Sequence, residues 1–320
     1  MTIAMRLAAV LILLWTSPLA AQPYPTKPIR VVVPFAAGGI ADLYARIIGA
    51  RVTDAWGQPV VIENRTGAGG NIGADAVAKS PPDGYTLVMS ALGPHAVNVS
   101  LFAKMPYDPV RDFAPIALVL EAEGLLVVHP SIPVNSVGDL ITHARSNPGK
   151  LTFASAGMGT ASHLAGELFK SMAQVDMVHV PYKGSGPSFQ DLLANVVSLT
   201  SDSVVQALPY IRQGQLKALA VLGPKRLAVL PDVPTVGETV VGYELTNWFG
   251  LVAPVATPKD VLAKIHADTA KVLQQAEVRE KFATMGADAV GNSPEEFGRQ
   301  MKNDSAKWAR IIQEANIRAE

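Results

Sequence analysis

The chain has 320 residues, with 27 Lys and Arg against 27 Asp and Glu, and no cysteine. A nucleic-acid partner would normally require a basic surface, so a net charge of zero argues against one. The lack of cysteine excludes a disulfide framework and a thiolate metal site. The length, with 49 % hydrophobic residues, predicts two packed α/β domains rather than one.

The first 21 residues have the three parts of a secretory signal peptide. One positive charge, Arg6, precedes an apolar run over residues 7–15, and the small residues Ala20 and Ala21 follow. A membrane anchor is the alternative, but the run is shorter than the roughly 20 residues that a membrane span needs. We therefore expect residues 1–21 to be a signal peptide, cleaved after Ala20 or Ala21, and the mature protein to reach the periplasm.

The first part of the mature chain alternates strand and helix signals. In order, these are a β-branched strand at 29–33, a turn at 34–39, a helix at 41–57, a strand at 60–62, a Gly-rich segment at 67–73, a helix at 74–79 and a strand at 85–89. Such alternation predicts parallel strands joined by right-handed crossovers.

A second α/β unit begins near residue 125. Its signals are strands at 125–128, 151–154, 178–182, 196–200 and 216–222, helices at 136–145, near 188–194 and at 204–212, and a Gly-rich turn and helix after residue 154. Beyond residue 231 the chain is loop-rich up to a strand at 249–253, and amphipathic helices at 259–275 and 294–316 end it. These helices would cover the first sheet if the chain crosses back. We therefore predict one lobe from 22–123 and 226–320, a second lobe from 124–225, and two crossing strands as a hinge.

Two Gly-rich turns between a strand and a helix are candidate binding elements. Glycine lets the backbone approach a ligand closely, and a helix start offers unpaired N–H groups and a positive dipole end. Two such starts facing each other across a cleft would make an anion site without arginine. Thr160 can cap the second helix. The candidate residues are Phe35, Ala36, Gly38, Gly39 and Asp42 in the first turn, and Ser155, Gly159, Thr160, Ser162 and His163 in the second.

Other interpretations of these segments stay open. Both turns can be ordinary tight connections with no ligand. Asp42 forms a helical i,i+4 pair with Arg46, which is either a surface pair or a means of ordering water or ligand hydroxyls in the cleft. Asp202, just past the predicted strand at 196–200, is a similar case.

The sequence gives little support for an enzyme or a cofactor. The Gly-rich segment 67–73 lacks the acidic residue that a dinucleotide fingerprint places after the next strand, and the P-loop pattern is absent. No G-x-S-x-G elbow is present, although Ser155 and Ser162 lie near His163. His163 and Glu167 are four residues apart on one helix face, but no third metal ligand has a telling spacing. We expect no cofactor and no metal.

Several stretches together resemble the Bug family, or TctC-like proteins, the periplasmic binding components of tripartite tricarboxylate transporters. The resemblance covers nearly the whole mature chain. It implies a type II periplasmic binding protein fold, a two-lobed "Venus flytrap" that closes on a small carboxylate, and a pocket built from the two turns. The stretches are YPTKPIRVVVPFAAGGIAD, ENRTGAGGNIGADAVAKSPPDGYTL, PGKLTFASAGMGTASHLAGELF, HVPYKGSGPSFQDLL, LKALAVLGPKRLAVLPDVPT and WFGLVAP.

Two positions depart from the family pattern. Asn195-Val196 stands where the family often has a Gly pair. The loop after the third strand, which the resemblance places at the cleft together with Ser90 and His95, contains Leu92 and Pro94 in place of hydrogen-bond donors. This departure predicts an apolar distal pocket that favours an aromatic or aliphatic carboxylate over citrate or aspartate.

The combined prediction is a receptor that delivers a small mono- or dicarboxylate to membrane permease subunits. The alternatives are an extracytoplasmic sensor that presents its ligand to a membrane kinase, and a secreted hydrolase. A monomer is expected, because such a receptor must open and close.

Overall fold

The computed structural model describes residues 24–314 and 317–318. The predicted signal peptide, residues 1–21, lies outside the described residues. Within the described residues, no helix is long and apolar enough to cross a membrane. Two mixed β-sheets, each flanked by helices, make two lobes.

Eleven strands and ten helices make up the described chain. The strands are β1 Ile29–Val33, β2 Val60–Asn64, β3 Thr86–Ala91, β4 Phe113–Ala122, β5 Gly124–Val128, β6 Thr152–Ser155, β7 Val178–Pro181, β8 Leu199–Ser203, β9 Lys217–Val221, β10 Asn247–Pro254 and β11 Ala287–Ala289. The helices are α1 Ile40–Trp56, α2 Asn71–Ala78, α3 Asn98–Leu101, α4 Val137–Ser146, α5 Ala161–Ala173, α6 Ser185–Leu193, α7 Val204–Arg212, α8 Lys259–Leu273, α9 Ala276–Thr284 and α10 Pro294–Glu314. Short 3₁₀ turns occupy Ala68–Gly70 and Val236–Glu238, and a π turn occupies Gly93–Val97.

The first lobe has a six-stranded sheet in the order β11-β4-β10-β3-β1-β2. Strand β1 pairs in parallel with β2 and β3, as the alternation of strand and helix signals predicts. Both faces of this sheet are covered, so β1 is almost wholly buried, which explains its continuous β-branched run. On one face Tyr44 of α1 packs against Phe282 of α9, and on the other Trp248 packs edge-on to Phe297 of α10.

The second lobe has a five-stranded sheet in the order β7-β6-β8-β5-β9. Strand β6 runs parallel to both β7 and β8. The carboxyl ends of these three strands therefore meet at one edge, and each leads directly into a helix start. In the first lobe, the carboxyl end of β1 likewise leads through a turn into the start of α1. The turns at these strand ends are therefore placed to face one another.

The chain crosses between the lobes twice. It leaves the first sheet at the end of β4 and enters the second as β5, with Glu123 as the single residue between them. It returns after β9 through residues 222–246 and rejoins the first sheet as β10, between β3 and β4. The C-terminal helices then pack on the first sheet, as the amphipathic tail predicts.

The sequence patterns missed or displaced some elements. Strands β4 and β11 and helix α9 were not predicted; β4 contains Pro115 and pairs with β10 through register shifts. The strand predicted at 196–200 was wrong by three residues: Val196 is 64 % exposed, and the strand that pairs with β5 and β6 is Leu199–Ser203. Asp202 therefore lies within β8 and not past its end.

Candidate functional site

A cleft cavity lies between the lobes, where the strand ends of both sheets meet. It encloses about 500 Å³, including its open mouth. Three helix starts converge on it, those of α1, α5 and α6, each preceded by a glycine or threonine at the N-cap. The lining residues are Phe35, Ala36, Gly39, Ile40, Ala41, Ala91, Gly93, Ala156, Thr160, Ala161, Ser162, Gly184, Ser185, Asp202, Asn247 and Phe249. First-turn N–H groups have no acceptor within their own helix, so all three starts offer donors and a positive dipole end.

Asp42 holds the first turn in shape. Its buried carboxylate accepts hydrogen bonds from the Gly38 N–H (3.0 Å), Arg46 Nε (2.9 Å) and Asn64 Nδ2 (2.9 Å). The same Asn64 amide group also donates to the Phe35 carbonyl at 3.1 Å. Burial alone would raise the pKa of Asp42, but the hydrogen bonds from Arg46, Gly38 and Asn64 outweigh it and lower the pKa. Asp42 lies outside the cavity lining and acts on the site through the position of the turn.

The second turn is fixed by its own hydroxyl groups. Ser162 Oγ accepts from the Ala156 N–H at 2.8 Å and lies 3.0 Å from Thr160 Oγ1. Thr160 is the N-cap residue of α5, but the predicted capping bond is absent, because its hydroxyl donates to the Gly157 carbonyl at 2.6 Å. The first-turn N–H groups of α5 are therefore left without a side-chain cap at the point where Ala161 and Ser162 line the cavity.

Ser155 and His163 support this turn from behind. Ser155 is fully buried; its Oγ accepts from the Gly157 N–H at 3.1 Å and lies 2.6 Å from His179 Nε2. His163 Nδ1 accepts from the Gly159 N–H at 3.2 Å, and its ring packs on that of His179 at 4.3 Å. Burial first, and then Lys170, lowers the pKa of His163 to about 4. Neither Ser155 nor His163 lines the cleft cavity, so the close Ser155–His179 pair has no access to a substrate there.

A third turn contributes to the cavity and was not among the predicted site residues. Gly184 and Ser185 lie between β7 and α6, and both line the cavity. Gly184 has a φ of +140°, and a Cβ there would come within 2.9 Å of Ala36 Cβ in the other lobe. The sequence signal was present as Lys183-Gly184-Ser185-Gly186 after a strand, in the same arrangement as the two turns that were predicted.

Among the described residues that line the cavity, Asp202 is the one with a charged side chain. It is 8 % exposed; Oδ1 accepts from the Ser203 N–H at 2.7 Å, and Oδ2 has no hydrogen-bond partner among the described residues. Burial raises the pKa of Asp202 to about 6, against the smaller lowering effects of Ser203 and Ser185. The cavity therefore combines three positive helix ends with one poorly solvated carboxyl group.

Apolar surface in the cavity comes from Phe35, Ile40 and Phe249. The side chains of Leu92 and Pro94, which were expected to form an apolar distal pocket, do not line it. Leu92 is 1 % exposed within the first-lobe core, and Pro94 is also buried, close to Gly70. Ala91 at the end of β3 and Gly93 are the residues of this segment that line the cavity, whereas Leu92 and Pro94 are buried in the protein.

Ser90 and His95 are also buried away from the cavity. Within the part of the chain that the structure describes, Ser90 Oγ and both ring nitrogens of His95 have no hydrogen-bond partner. The His95 ring packs edge-on to Phe113 at 4.7 Å, and burial lowers its pKa to about 3. Of the predicted site residues, the cavity brings together Phe35, Ala36, Gly39, Thr160, Ser162 and Asp202, whereas Gly38, Asp42, Ser90, His95, Ser155, Gly159 and His163 lie outside its lining.

Backbone atoms of both lobes and the side chain of Gln206 are in contact along the cleft. A Cβ on Gly93 would come within 2.4 Å of the Gly159 carbonyl oxygen, and a Cβ on Gly69 within 2.1 Å of the Met158 carbonyl oxygen. Gln206 Nε2 of the second lobe donates to the Gly38 carbonyl of the first at 3.1 Å. The contacts at Gly69 and Gly93 leave no room for a Cβ, and all three contacts together describe a closed cleft.

The positive helix ends in the cavity lining suit an anion. In the part of the chain that the structure describes, no Lys, Arg or His side chain lines the cleft cavity, and no group of three or more His, Asp or Glu side chains is placed to hold a metal ion. The positive potential comes from helix starts, which bind a carboxylate through backbone N–H groups.

Comparison with known proteins agrees with this architecture. The model of the tripartite tricarboxylate transporter family receptor, TctC, matches residues 44–317. The chain is 37 % identical over 306 residues to Protein BugT of Bordetella pertussis, covering 94 % of this chain and 93 % of BugT. The solved structure of R. palustris Rpa4515 with adipate matches with a TM-score of 0.89 and 39 % identity, over 92 % of this chain and 98 % of that one. MatC (Rpa3494) from Rhodopseudomonas palustris with bound malate matches with a TM-score of 0.87 and 35 % identity, over 90 % and 100 %.

These matches confirm the predicted family and the two-lobed periplasmic binding protein fold. They also confirm that the family consists of receptors and not enzymes, which removes the hydrolase alternative. The chain belongs to the TctC/Bug family of periplasmic solute-binding proteins, the receptors of tripartite tricarboxylate transporters.

Proposed function

We propose that the mature protein captures a small carboxylate in the periplasm and delivers it to the permease subunits of a tripartite tricarboxylate transporter. This proposal is carried by the convergence of three uncapped helix starts on one cavity, in which no described residue of the lining has a cationic side chain. A carboxylate there would accept hydrogen bonds from the first-turn N–H groups near Ala41, Ala161 and Ser185, which line the cavity.

The solved relatives support the choice of ligand class. Rpa4515 was solved with adipate and MatC with malate, both small carboxylates, and both structures match this chain over nine-tenths or more of its length. The carbon skeleton of a ligand would lie against Phe35, Ile40 and Phe249, which supply the apolar walls. Because backbone donors recognise a carboxylate and not its substituents, the remaining walls set the specificity.

Binding would couple to closure of the two lobes. We propose that residues 22–123 and 226–320 form one lobe and residues 124–225 the other, with the two crossings as the hinge. The donors lie on both sides of the cleft, at one helix start (α1) in the first lobe and at two (α5 and α6) in the second. A ligand that contacts both sets favours the closed state by its differential affinity for that state. We further propose that the protein is exported by its N-terminal signal peptide and acts as a monomer.

A thermal-shift screen of the purified mature protein tests the binding proposal. The protein is first unfolded and refolded to remove carried-over ligand, and mono-, di- and tricarboxylates are then added. A ligand that binds only the folded state raises the melting temperature by mass action, so at least one carboxylate should give a concentration-dependent rise and should be recovered unchanged. If no carboxylate raises the melting temperature, the helix-start site does not bind carboxylates and the proposal fails.

Delivery to a permease is tested in the source strain. Deletion of the gene should abolish uptake of the carboxylate found in the screen, and a plasmid copy should restore it. Normal uptake together with loss of ligand-induced transcription would instead assign the protein to a sensor kinase.

A further inference from the structure

A second chamber adjoins the cleft cavity at the point where the chain crosses between the lobes. We call it the crossover chamber; its lining consists of Ala122, Glu123, Gly124, Ala161, Ser201, Asp202, Ser203, Leu222, Leu245 and Asn247. Three of these residues, Ala161, Asp202 and Asn247, also line the cleft cavity. A ligand anchored at the helix starts can therefore direct its other end towards the crossover chamber.

Two carboxyl groups with an unoccupied oxygen line this chamber. Asp202 is more than nine-tenths buried, and its Oδ2 has no partner in residues 24–314 and 317–318. Glu123 is partly buried; its Oε1 accepts a long hydrogen bond from Thr246 Oγ1 at 3.4 Å, and its buried Oε2 also has no partner in these ranges. An unpartnered buried acceptor costs free energy that a donor from a ligand would recover.

The charged neighbours that act on Glu123 are acidic. Burial, and then the acidic neighbours Glu121, Asp288 and Glu244, raises the pKa of Glu123 to about 7, although Thr246 opposes the shift. In the part of the chain that the structure describes, no cationic side chain lines the cleft cavity or the crossover chamber. A second carboxylate on the ligand would therefore meet carboxyl groups without a counter-ion, whereas a cation would be attracted.

We propose that the ligand is an amino carboxylate, whose carboxylate binds the helix starts of α1, α5 and α6 and whose ammonium group binds Asp202, with Glu123 as the more distant counter-charge. This inference rests on the proposed function, since it assigns the second functional group of the same ligand. It makes Asp202 and Glu123 the residues that distinguish amino acids from dicarboxylates of equal chain length.

Calorimetric titration with matched ligand trios tests the inference. Each trio consists of an ω-amino acid with three to six carbons, from β-alanine to 6-aminohexanoate, the unsubstituted acid and the α,ω-dicarboxylate. At pH 8 the best amino acid should bind at least 10-fold more tightly than the other two members of its trio. Asp202→Asn should remove that preference, measured as the ratio of the affinities for the amino acid and for the unsubstituted acid of the same trio, and Glu123→Gln should reduce the ratio by a smaller factor.

The outcomes separate this inference from the proposed function. Equal or tighter binding of a dicarboxylate or an unsubstituted acid would overturn the amino carboxylate assignment and leave the carboxylate receptor intact. An unchanged preference in Asp202→Asn would overturn the role of Asp202. Failure of every trio member and of the wider carboxylate panel would overturn the receptor proposal itself. Asn keeps the acceptor for the Ser203 N–H, and melting curves in the absence of ligand show whether each variant is folded.

Discussion

The contact between Gly93 and Gly159 provides a specific test of lobe closure. Gly93 has no positive φ, so alanine is compatible with its backbone conformation, and the fold of the first lobe should tolerate it. In the closed state, however, the added Cβ would come within 2.4 Å of the Gly159 carbonyl oxygen, which belongs to the other lobe. Closure would then require the lobes to move apart by about 1 Å or to accept an overpacked contact.

Overpacking of this kind costs about 1 to 3 kcal/mol, which corresponds to a roughly 5- to 150-fold loss of affinity. We therefore expect Gly93→Ala to weaken carboxylate binding by a factor in this range, as measured by calorimetry, and to leave the melting temperature of the ligand-free protein within about 1 °C of the parent. Gly138→Ala is the matched control, because its Cβ would meet nothing closer than Ser136 Oγ at 3.7 Å. Parental affinity in Gly93→Ala would refute the closed-cleft interpretation of this contact, as would an equal loss in the control.

Three further predictions concern side chains of the site. Asp202→Asn should stabilise the ligand-free protein at pH 8. The folded-state pKa of Asp202 is raised from 3.8 to about 6, so the parent protein loses stability as pH rises through this window, by at most roughly 3 kcal/mol. The Asn variant has no carboxyl group to ionise and should not lose this stability. Melting curves from pH 4 to pH 8 should show that the variant melts about 5 °C higher than the parent at pH 8 and that this difference vanishes near pH 4. Equal melting temperatures of variant and parent at both pH values would contradict this prediction. Asp42→Asn should destabilise the protein by about 1 to 3 kcal/mol in urea unfolding and also weaken ligand binding. Because the pKa of Asp42 is lowered in the folded state, its contribution to stability is present at neutral pH and is lost as the pH falls below the ordinary value of 3.8. A variant as stable as the parent at pH 7 would show that the turn does not depend on Asp42. Ser162→Ala should weaken ligand binding by about 10-fold, since the Ala156 N–H loses its 2.8 Å acceptor at the cavity wall. An unchanged calorimetric affinity would mean that the turn keeps its shape without the Ser162 hydroxyl.

The fold and the position of the site were largely predictable from local patterns. Alternating strand and helix signals gave the parallel β1, β2 and β3, and the Gly-rich turns after β1 and β6 proved to be the strand ends that face the cavity. These features are local, because a glycine at a strand–helix junction shows both where the chain turns and where N–H groups are left free. The same reasoning would have found Gly184 and Ser185.

The directions of individual side chains were not predictable. Successive residues of β3 and its loop point to different sides, so whether Ser90, Leu92 and His95 face a cleft or a core depends on the packing of helices distant in sequence. Asp202 was placed by a strand that starts three residues later than predicted, because pairing with β5 and β6 and not β-propensity sets its limits. The position of the Glu123 carboxyl group next to Thr246 depends on how the two crossings pack together, and residues so far apart in sequence give no local signal of this contact.

The measurement that tests the central claim most directly is a calorimetric comparison of the best carboxylate ligand with its methyl ester, using refolded, ligand-free protein. The ester keeps the carbon skeleton and removes the charge that three helix starts are proposed to bind at Ala41, Ala161 and Ser185. We expect the acid to bind with one-to-one stoichiometry and the ester to bind at least about 100-fold more weakly, since hydrogen bonds to a charged group contribute about 1.5 to 3 kcal/mol each. Equal affinity for acid and ester would show that the helix starts do not recognise a carboxylate and would contradict the account.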